Sequence, residues 1–327
     1  MAASCGNVSF LLLAMDPRVI TQEELANATR FGDFIPVYKV DAVTVVKTGD
    51  SVRLAEAAAM RLVREKTTIP VPEIYNAYTD NTTGHVRIVM EFIEGDCLSN
   101  TWYQYDAQQK EHILQQLHDM FSQLRNIKGT FIGSVDGSAC EDPLFEEDIG
   151  TYEPYKDEAS FCQGIITALK NTLESGWVDT VCAMVGALSG HEIVLTHGDI
   201  SPRNILVRDG KIVAILDWEM AGYYPEYWEY VKALYRPAWE SMWIKDRAVD
   251  RVLQPYLMEL AVFLHYLGWL GNVFRTASWL GDREMAELLL DQDANVLARG
   301  GHDRNALQAA FCMAGALTAL AFYERTQ

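Results

Sequence analysis

The chain has 327 residues, of which 49% are hydrophobic, so it can bury a large core and should form roughly two lobes or domains. Its 27 basic and 45 acidic residues give a formal net charge of −18, which argues against a nucleic-acid partner. Six cysteines are scattered without metal-type spacing, as is typical of reduced thiols in a cytoplasmic protein. The apolar run Val8 to Met15 is too short to cross a bilayer and follows no basic residue. We therefore read it as an edge of the fold and expect no membrane association.

The first strong pattern along the chain is a strand followed by a helix. Residues 42–47 form a β-branched run that ends in a lysine, and residues 48–50 turn the chain. A helix is predicted over 51–65, with Asp50 or Ser51 as its N-cap.

One carboxylate of this helix lies on its apolar face. Glu56, Met60 and Val63 are spaced so that they share a stripe, and a carboxylate in such a place needs a partner. Lys47, at the end of the preceding strand, is the natural candidate. The alternative is an exposed pair between Glu56 and Arg53, because exposed helix ion pairs are frequent and weak.

Two more strands complete the first third of the chain. The prolines of Ile69-Pro-Val-Pro72 stop the helix, and the runs 74–78 and 86–93 read as a hairpin around a turn at 81–84. The chain then becomes mostly helical. Helices are predicted over 106–126, 158–175, 178–188, 251–269, 282–298 and 305–324, with a long ordered loop over 129–155.

The segment 195–218 interrupts the helices and contains the most informative pattern. Asp209-Gly210 lies between the apolar runs 205–207 and 212–216, which is the strongest short-range signal for a two-residue hairpin.

The register of this hairpin predicts a cation site. If Arg208 pairs with Lys211, Asn204 lies opposite Ile215, and the alternation of strand side chains turns Asp217 to the same face as Asn204. An amide oxygen and a carboxylate at that separation suit Mg²⁺, which completes its coordination with water and phosphate.

A second carboxylate precedes the hairpin. Asp199 lies five residues before Asn204, on the entering loop, where it can hold an attacking hydroxyl group beside a metal-bound phosphate. The alternative is an ordinary surface hairpin in which Asp199 caps a turn and Asn204 ends a strand.

The His-Gly-Asp pattern at 197–199, followed by Asn204 and by Leu-Asp-Trp-Glu at 216–219, resembles the aminoglycoside phosphotransferase family. That resemblance implies an α+β, two-lobed, protein-kinase-like fold. Residues 1–95 are expected to form a small nucleotide-binding lobe with an antiparallel sheet. Residues 96–327 are expected to form a larger, mostly helical lobe with the catalytic loop, metal site and acceptor pocket.

The resemblance also assigns roles to individual residues. Asp199 is expected to be the catalytic base or to orient the acceptor hydroxyl, and Asn204 and Asp217 to bind Mg²⁺. Lys47 and Glu56 are expected to form the pair that holds the α and β phosphates of ATP.

The resemblance makes Glu91, Phe92 and Ile93 a hinge between the lobes, where backbone groups bind adenine. A plain core strand leading to a linker fits the same residues. His197 is expected mainly to brace the catalytic loop. No Gly-x-Gly-x-x-Gly pattern precedes Lys47, so the mode of phosphate capping and the choice between ATP and GTP stay open.

The residues after Asp217 indicate the kind of acceptor. They lead straight into a predicted helix without the activation segment of a protein kinase, which favours a small molecule. Glu219, Glu226 and Trp228 are the predicted contacts for a cationic or polyhydroxylated acceptor, because carboxylates and aromatic faces attract cations. The alternative is that Trp228 and Glu229 pack and brace the lobe.

The function implied is transfer of the γ-phosphoryl group of ATP, or of GTP, to a hydroxyl of a small acceptor. The sequence looks most like the fungal branch of the family, through Ile69-Pro-Val-Pro72 and Met90 to Gly95. Two alternatives stay open. One is a choline-, ethanolamine-, sugar- or secondary-metabolite kinase of the same fold, and the other is a non-catalytic nucleotide-binding protein.

Overall fold

The computed structural model describes residues 17–31, 36–140, 142, 153–172, 176–235 and 241–264. The apolar run 8–15 and the helices predicted over 282–298 and 305–324 lie outside these residues. Within the described part of the chain, no helix has both the length and the apolar composition needed to cross a membrane.

An antiparallel five-stranded sheet forms the N-terminal part. Its strands are β1 (Thr29–Phe31), β2 (Val37–Lys39), β3 (Thr44–Gly49), β4 (Ile74–Thr79) and β5 (Val86–Glu91). Their order across the sheet is β1-β2-β3-β5-β4. Helix α1 (Gln22–Asn27) precedes the sheet, and helix α2 (Leu54–Lys66) connects β3 to β4. The predicted hairpin of 74–78 and 86–93 is confirmed as the β4–β5 pair.

The two faces of this sheet have different partners. Val46 on β3 and Val89 on β5 are paired across the strands and pack on Ile20 of the N-terminal segment. Because strand side chains alternate, Lys47 points to the opposite face. There it contacts Glu56 of α2, as described below. The sheet therefore places the lysine between itself and the rest of the molecule.

The boundaries of β3 and α2 differ from the prediction. The strand continues to Gly49 instead of ending at Lys47, and the N-cap of α2 is Arg53, whose side chain makes no capping hydrogen bond. Asp50 and Ser51 are therefore not the cap. The pairing of β3 with β5 extends the strand through the predicted turn, with Gly49 opposite Val86.

The C-terminal part is mostly helical and contains two small sheets. Its helices are α3 (Leu98–Thr101), α4 (Ala107–Arg125), α5 (Glu158–Thr172), α6 (Gly176–Gly186), α7 (Trp228–Ala233), α8 (Met242–Lys245) and α9 (Ala248–Val252), with a further helical segment at 257–264. Its strands are β6 (Asp96–Cys97), β7 (Gly133–Ser134), β8 (Ile193–Thr196), β9 (Ile205–Arg208), β10 (Lys211–Ile215) and β11 (Gly222–Pro225). The sheets have the orders β10-β9-β6 and β7-β11-β8.

A continuous apolar core joins the two parts. Met60 and Val63 of α2 belong to the same buried cluster as Leu117 and Phe121 of α4. Full burial of each such side chain contributes about 1.5–3 kcal/mol to folding. The N-terminal sheet is thereby fixed over the hairpin of β9 and β10, with which α4 also packs.

Several predicted elements of the C-terminal part are confirmed. Helix α4 begins after Asp106, which forms a reciprocal capping box with Gln109. The two-residue turn at Asp209 and Gly210 has φ angles of 51° and 70°, as a hairpin turn of this type requires.

Two predictions for this part were wrong. The helix expected over 251–269 is broken, because α9 ends at Val252 and Pro255 has no N–H to continue it. The segment 129–155, expected to be a loop, contains strand β7 and a bridge between Ile132 and Tyr155 in its described residues.

Candidate active site

The register of the β9–β10 hairpin differs from the predicted one. A bulge at Val213 shifts the ladder, so that Ile215 pairs with Ile205 and not with Asn204. The carbonyl of Asn204 instead accepts a hydrogen bond from the N–H of Leu216 at 2.8 Å. An extra residue in one strand offsets every later pair, which is why the predicted register holds for Arg208–Lys211 and Val207–Ile212 but fails beyond Val213.

The alternation argument for Asn204 and Asp217 was therefore wrong, and the contact of Asn204 with this segment is through Leu216, the residue before Asp217. Asn204 ends a short 3₁₀ helix (Pro202–Asn204). Asp217 follows β10 with a φ of 63°, in the left-handed region that few residues other than glycine adopt. Backbone strain of this kind is concentrated at functional sites.

Lys47 is the centre of a charged cluster between the two parts of the molecule. Its Nζ atom lies 2.9 Å from Glu56 Oε1, 2.7 Å from Asp217 Oδ1 and 3.1 Å from Glu219 Oε2. Glu56 is only 3% exposed, which excludes the alternative of a solvated Glu56–Arg53 pair. Elements far apart in the sequence thus converge on one ammonium group.

The cluster has more carboxylates than cations, and the pKa values reflect this. Burial lowers the pKa of Lys47, but the carboxylates of Glu56, Asp217 and Glu219 outweigh it and raise that pKa overall. Burial raises the pKa of Glu56 to about 7, against the opposing effect of the Lys47 ammonium. Burial, with the charges of Asp217 and Asp199, also raises the pKa of Glu219. The site therefore favours the arrival of positive charge.

The raised pKa of Glu56 predicts how stability depends on pH. The unfolded chain ionises this carboxyl near its ordinary value of 4.5, and the folded chain only near pH 7. The native state therefore loses stability relative to the unfolded state as the pH rises from 4.5 to 7. We expect the Tm of the wild type to fall over this range by more than the Tm of Glu56→Gln.

Differential scanning calorimetry at several pH values measures this difference. Glu65→Gln, at an exposed position of the same helix, is the matched control and should follow the wild type. Parallel Tm curves for the wild type and Glu56→Gln would show that Glu56 keeps its ordinary pKa.

Asp199 lies on the loop between β8 and the 3₁₀ helix, with its carboxylate held from two sides. The Nδ2 atom of Asn204 donates to the carbonyl oxygen of Asp199 at 2.8 Å and to its Oδ2 at 2.9 Å. The Nη2 atom of Arg203 lies 3.3 Å from both carboxylate oxygens. Arg203 was not among the predicted site residues, although an arginine four positions after an aspartate was a signal for this contact.

The backbone of this loop is braced by buried polar side chains. The N–H groups of His197 and Gly198 donate to the two carboxylate oxygens of Glu229, at 2.7 and 3.1 Å. His197 Nδ1 accepts from the N–H of Asp199 at 3.1 Å, so Nε2 carries the proton and donates to the carbonyl of Leu216 at 2.9 Å. The imidazole therefore connects the Asp199 loop to the residue before Asp217.

Trp228 lies in the apolar core of the helical part of the molecule. It is fully buried and stacks on Tyr224, with ring centroids 5.6 Å apart and an angle of 10° between the planes. The prediction of Trp228 as an acceptor contact was wrong. The alternative, in which Trp228 and Glu229 pack inside the lobe, describes both residues.

Glu226 lies away from the Asp199 loop. Strand β11 pairs with β8 so that Gly222 is opposite Thr196, and Glu226 follows at the other end, where its N–H donates to the carbonyl of Glu192. Glu226 is four residues beyond Gly222. At about 3.3 Å per strand residue, it lies about 13 Å from the end of the β8–β11 pair that leads to Asp199. The structure thus places Glu226, a predicted acceptor contact, at the end of the strand pair that is distant from Asp199.

The donor atoms near Asp217 fit a magnesium ion that is completed by substrate oxygens. Because Nδ2 of Asn204 is used by Asp199, Oδ1 of Asn204 is the atom left for a cation, and the carboxylate of Asp217 is partly exposed. In the described residues, no three His, Cys, Asp or Glu side chains form a metal-binding group by themselves. Mg²⁺ commonly uses one or two protein carboxylates with phosphate and water, so a smaller set is sufficient.

The predicted hinge directly follows β5. The N–H of Glu91 donates to the carbonyl of Glu73 at 2.9 Å, and the N–H of Phe92 donates to the carbonyl of Val43 at 2.7 Å. These two donors are used by the protein itself. If this segment binds the base of a nucleotide, the backbone N–H donor must come from Ile93 or from a later residue.

A small antiparallel sheet with one helix, placed over a helical part that carries a loop and hairpin with polar side chains, defines a protein-kinase-like fold. The model of the phosphotransferase enzyme family (APH) matches residues 42–265, and the chain belongs to this family.

Solved structures of aminoglycoside phosphotransferases have the same fold. An apo thermostable mutant of APH(4)-Ia has a TM-score of 0.53 and 15% identity, covering 84% of this chain and 94% of its own. The streptomycin-ATP-APH(2")-IIa ternary complex has a TM-score of 0.52 and 17% identity, covering 83% and 92%. The GDP and kanamycin complex of APH(2")-IIia has a TM-score of 0.51 and 14% identity, covering 83% and 94%. At such identities the likeness concerns the fold.

Proposed function

We propose that this phosphotransferase transfers the γ-phosphoryl group of a nucleoside triphosphate to a hydroxyl group of a small molecule. The observation that carries the proposal is that Glu56 and Asp217 both contact Lys47, while Asn204 fixes the carboxylate of Asp199 on the catalytic loop. A non-catalytic nucleotide-binding protein would have no need to keep all five side chains.

The roles proposed for these residues follow from their contacts. Lys47 binds phosphate oxygens, and the buried Glu56 keeps the ammonium in place when Asp217 turns to other partners. Asp199 orients the acceptor hydroxyl and takes its proton on the carboxylate, whose Oδ2 is fixed by Asn204. Mg²⁺, when bound by Asn204 and Asp217, supplies positive charge that offsets the charge of the phosphates.

The nucleotide is proposed to bind under the five-stranded sheet, against Glu91, Phe92 and Ile93. ATP and GTP are both kept as donors, since the related structures contain ATP in one case and GDP in another. The division into a nucleotide-binding lobe, 1–95, and a catalytic lobe, 96–327, is part of the proposal. It is supported by the pairing of β6, which begins at Asp96, with β9 of the catalytic hairpin.

The acceptor is proposed to be a small polyhydroxylated or cationic molecule. The related enzymes hold streptomycin and kanamycin, which are of this kind. Glu219 contacts Lys47, so we assign its charge to the phosphate side of the site and not to the acceptor. A choline-, ethanolamine-, sugar- or secondary-metabolite kinase of the same fold is the second candidate. Membership of the fungal branch of the family, indicated by Ile69-Pro-Val-Pro72 and Met90 to Gly95, is also part of the proposal.

A cytoplasmic location is also proposed. Among the described residues, Cys97, Cys162 and Cys182 are free thiols, as is usual in a reducing compartment.

A mass-spectrometric screen tests the function. The protein is incubated with Mg²⁺ and ATP or GTP and with a panel of aminoglycosides, choline-like amines, sugars and natural-product alcohols. Product is expected with the wild type and not with Asp199→Ala or with EDTA. If the protein binds nucleotide but neither forms a phosphorylated product nor hydrolyses the nucleotide, the non-catalytic alternative is favoured.

A further inference from the structure

Arg203 contacts the proposed catalytic carboxylate directly. A single guanidinium nitrogen, Nη2, lies 3.3 Å from Oδ1 and 3.3 Å from Oδ2 of Asp199. The side chain of Arg203 is 60% exposed and that of Asp199 is 24% exposed. The ion pair therefore lies at the open edge of the site, where an acceptor has to enter.

We propose that Arg203 is a positioning residue for phosphoryl transfer, which holds the Asp199 carboxylate in place for the acceptor hydroxyl and offsets its charge as the phosphoryl group approaches. The inference rests on the proposed function and deepens it.

Stability does not explain the contact. An exposed ion pair four residues apart contributes little to folding, because water screens it and both side chains lose freedom. The backbone of the loop is held by other contacts. The Sγ atom of Cys97 lies 3.3 Å from the carbonyl of Arg203, and the N–H of Asn204 donates to the carbonyl of Ser201 at 3.0 Å. Removal of the guanidinium should therefore leave the fold intact.

The charges around Asp199 indicate what its ion pair with Arg203 does. A carboxylate that orients a hydroxyl must stay close to the incoming phosphoryl group, and two negative charges at short range repel each other strongly. Lys47 is occupied by Glu56, Asp217 and Glu219. Among the described residues, Arg203 is the cation that contacts Asp199.

The geometry also restricts rotation of the Asp199 carboxylate. Asn204 fixes Oδ2, and Arg203 bridges both oxygens, so Oδ1 keeps one orientation while still able to accept a hydroxyl hydrogen. Only one of the three guanidinium nitrogens contacts Asp199. Since Arg presents five N–H donors in a planar fork, the others are available for phosphoryl oxygens.

The test compares Arg203→Ala and Arg203→Lys with the wild type, using the acceptor found in the screen or, without one, Mg-ATP hydrolysis. We expect kcat to fall by about 10- to 100-fold in Arg203→Ala, which corresponds to about 1.4–2.7 kcal/mol of lost transition-state stabilisation. The KM values for nucleotide and acceptor should stay within about twofold, because the role concerns the reacting groups and not uniform binding. Arg203→Lys should recover part of kcat, and added guanidinium chloride should partly rescue Arg203→Ala.

The matched control is Arg247→Ala. Arg247 forms an exposed ion pair with Asp250, three residues away, remote from the Asp199 loop. It should keep wild-type kcat and show no response to guanidinium.

The outcomes separate this inference from the proposed function. An active wild type with an unchanged kcat in Arg203→Ala would overturn the role of Arg203 and leave the function standing. An increase in acceptor KM alone would make Arg203 an acceptor-binding residue and contradict the proposal. A wild type that neither transfers phosphate nor hydrolyses nucleotide would overturn both.

Discussion

Asp199→Asn is expected to lower kcat for phosphoryl transfer by about 10²- to 10⁴-fold, the range that general acid–base catalysis contributes. The substitution keeps the size of the side chain and an oxygen for the contact with Asn204, but it removes the charge that takes the hydroxyl proton. Lys47, Glu56 and Asp217 do not depend on this carboxylate for their mutual contacts. The Kd for Mg-ATP should therefore stay close to the wild-type value.

Steady-state kinetics and isothermal titration calorimetry measure these two quantities separately. Asp209→Asn is the matched control. It makes the same chemical change at the hairpin turn, where the φ of 51° suits asparagine. A wild-type kcat in Asp199→Asn would remove Asp199 from the chemistry. A large loss of nucleotide affinity would instead assign it to the phosphate site.

The parts of the site that the sequence predicted are those specified by local signals. The turn at Asp209 and Gly210 was predictable because few dipeptides fit its left-handed angles. The burial of Glu56 followed from the helical spacing of its apolar neighbours, and the lysine at the end of the preceding strand was the candidate partner for a buried carboxylate. Such features are determined by residues that are close together in the sequence, so they can be predicted from the sequence alone.

Features set by the wider fold were not predictable in the same way. The bulge at Val213 and the left-handed φ of Asp217 leave no signal in residue type. They place Asp217 in contact with Lys47, a position that strand alternation alone does not predict. The contact of Lys47 with Glu219 spans 172 positions of sequence, and neither end shows it locally.

The predicted acceptor contacts show that residue composition alone does not locate a binding site. Glu226 and Trp228 combine the charge and the aromatic face that a cationic ligand needs, but composition does not give direction. The antiparallel pairing of β11 with β8 carries Glu226 away from Asp199, and the core around α7 encloses Trp228. The same short segment contains Glu229, which braces the catalytic loop from inside.

Glu229→Ala is expected to destabilise the protein by about 2–6 kcal/mol. Glu229 is 1% exposed, and its oxygens accept the N–H groups of His197 and Gly198. Its removal leaves two buried donors without a partner, and each costs about 1–3 kcal/mol. Glu229→Gln keeps one acceptor oxygen and should lie between the wild type and Glu229→Ala.

Thermal unfolding measures the loss, and hydrogen exchange at His197 to Asp199 locates it. Exchange should accelerate there before the rest of the chain, because the loop loses its brace first. Glu192→Ala is the control. That side chain is 64% exposed and pairs with Lys128 on the surface, so it should change stability by no more than about 1 kcal/mol. If Glu229→Ala were as stable as this control, the two backbone N–H groups would have found other partners, and the brace assigned to Glu229 would be wrong.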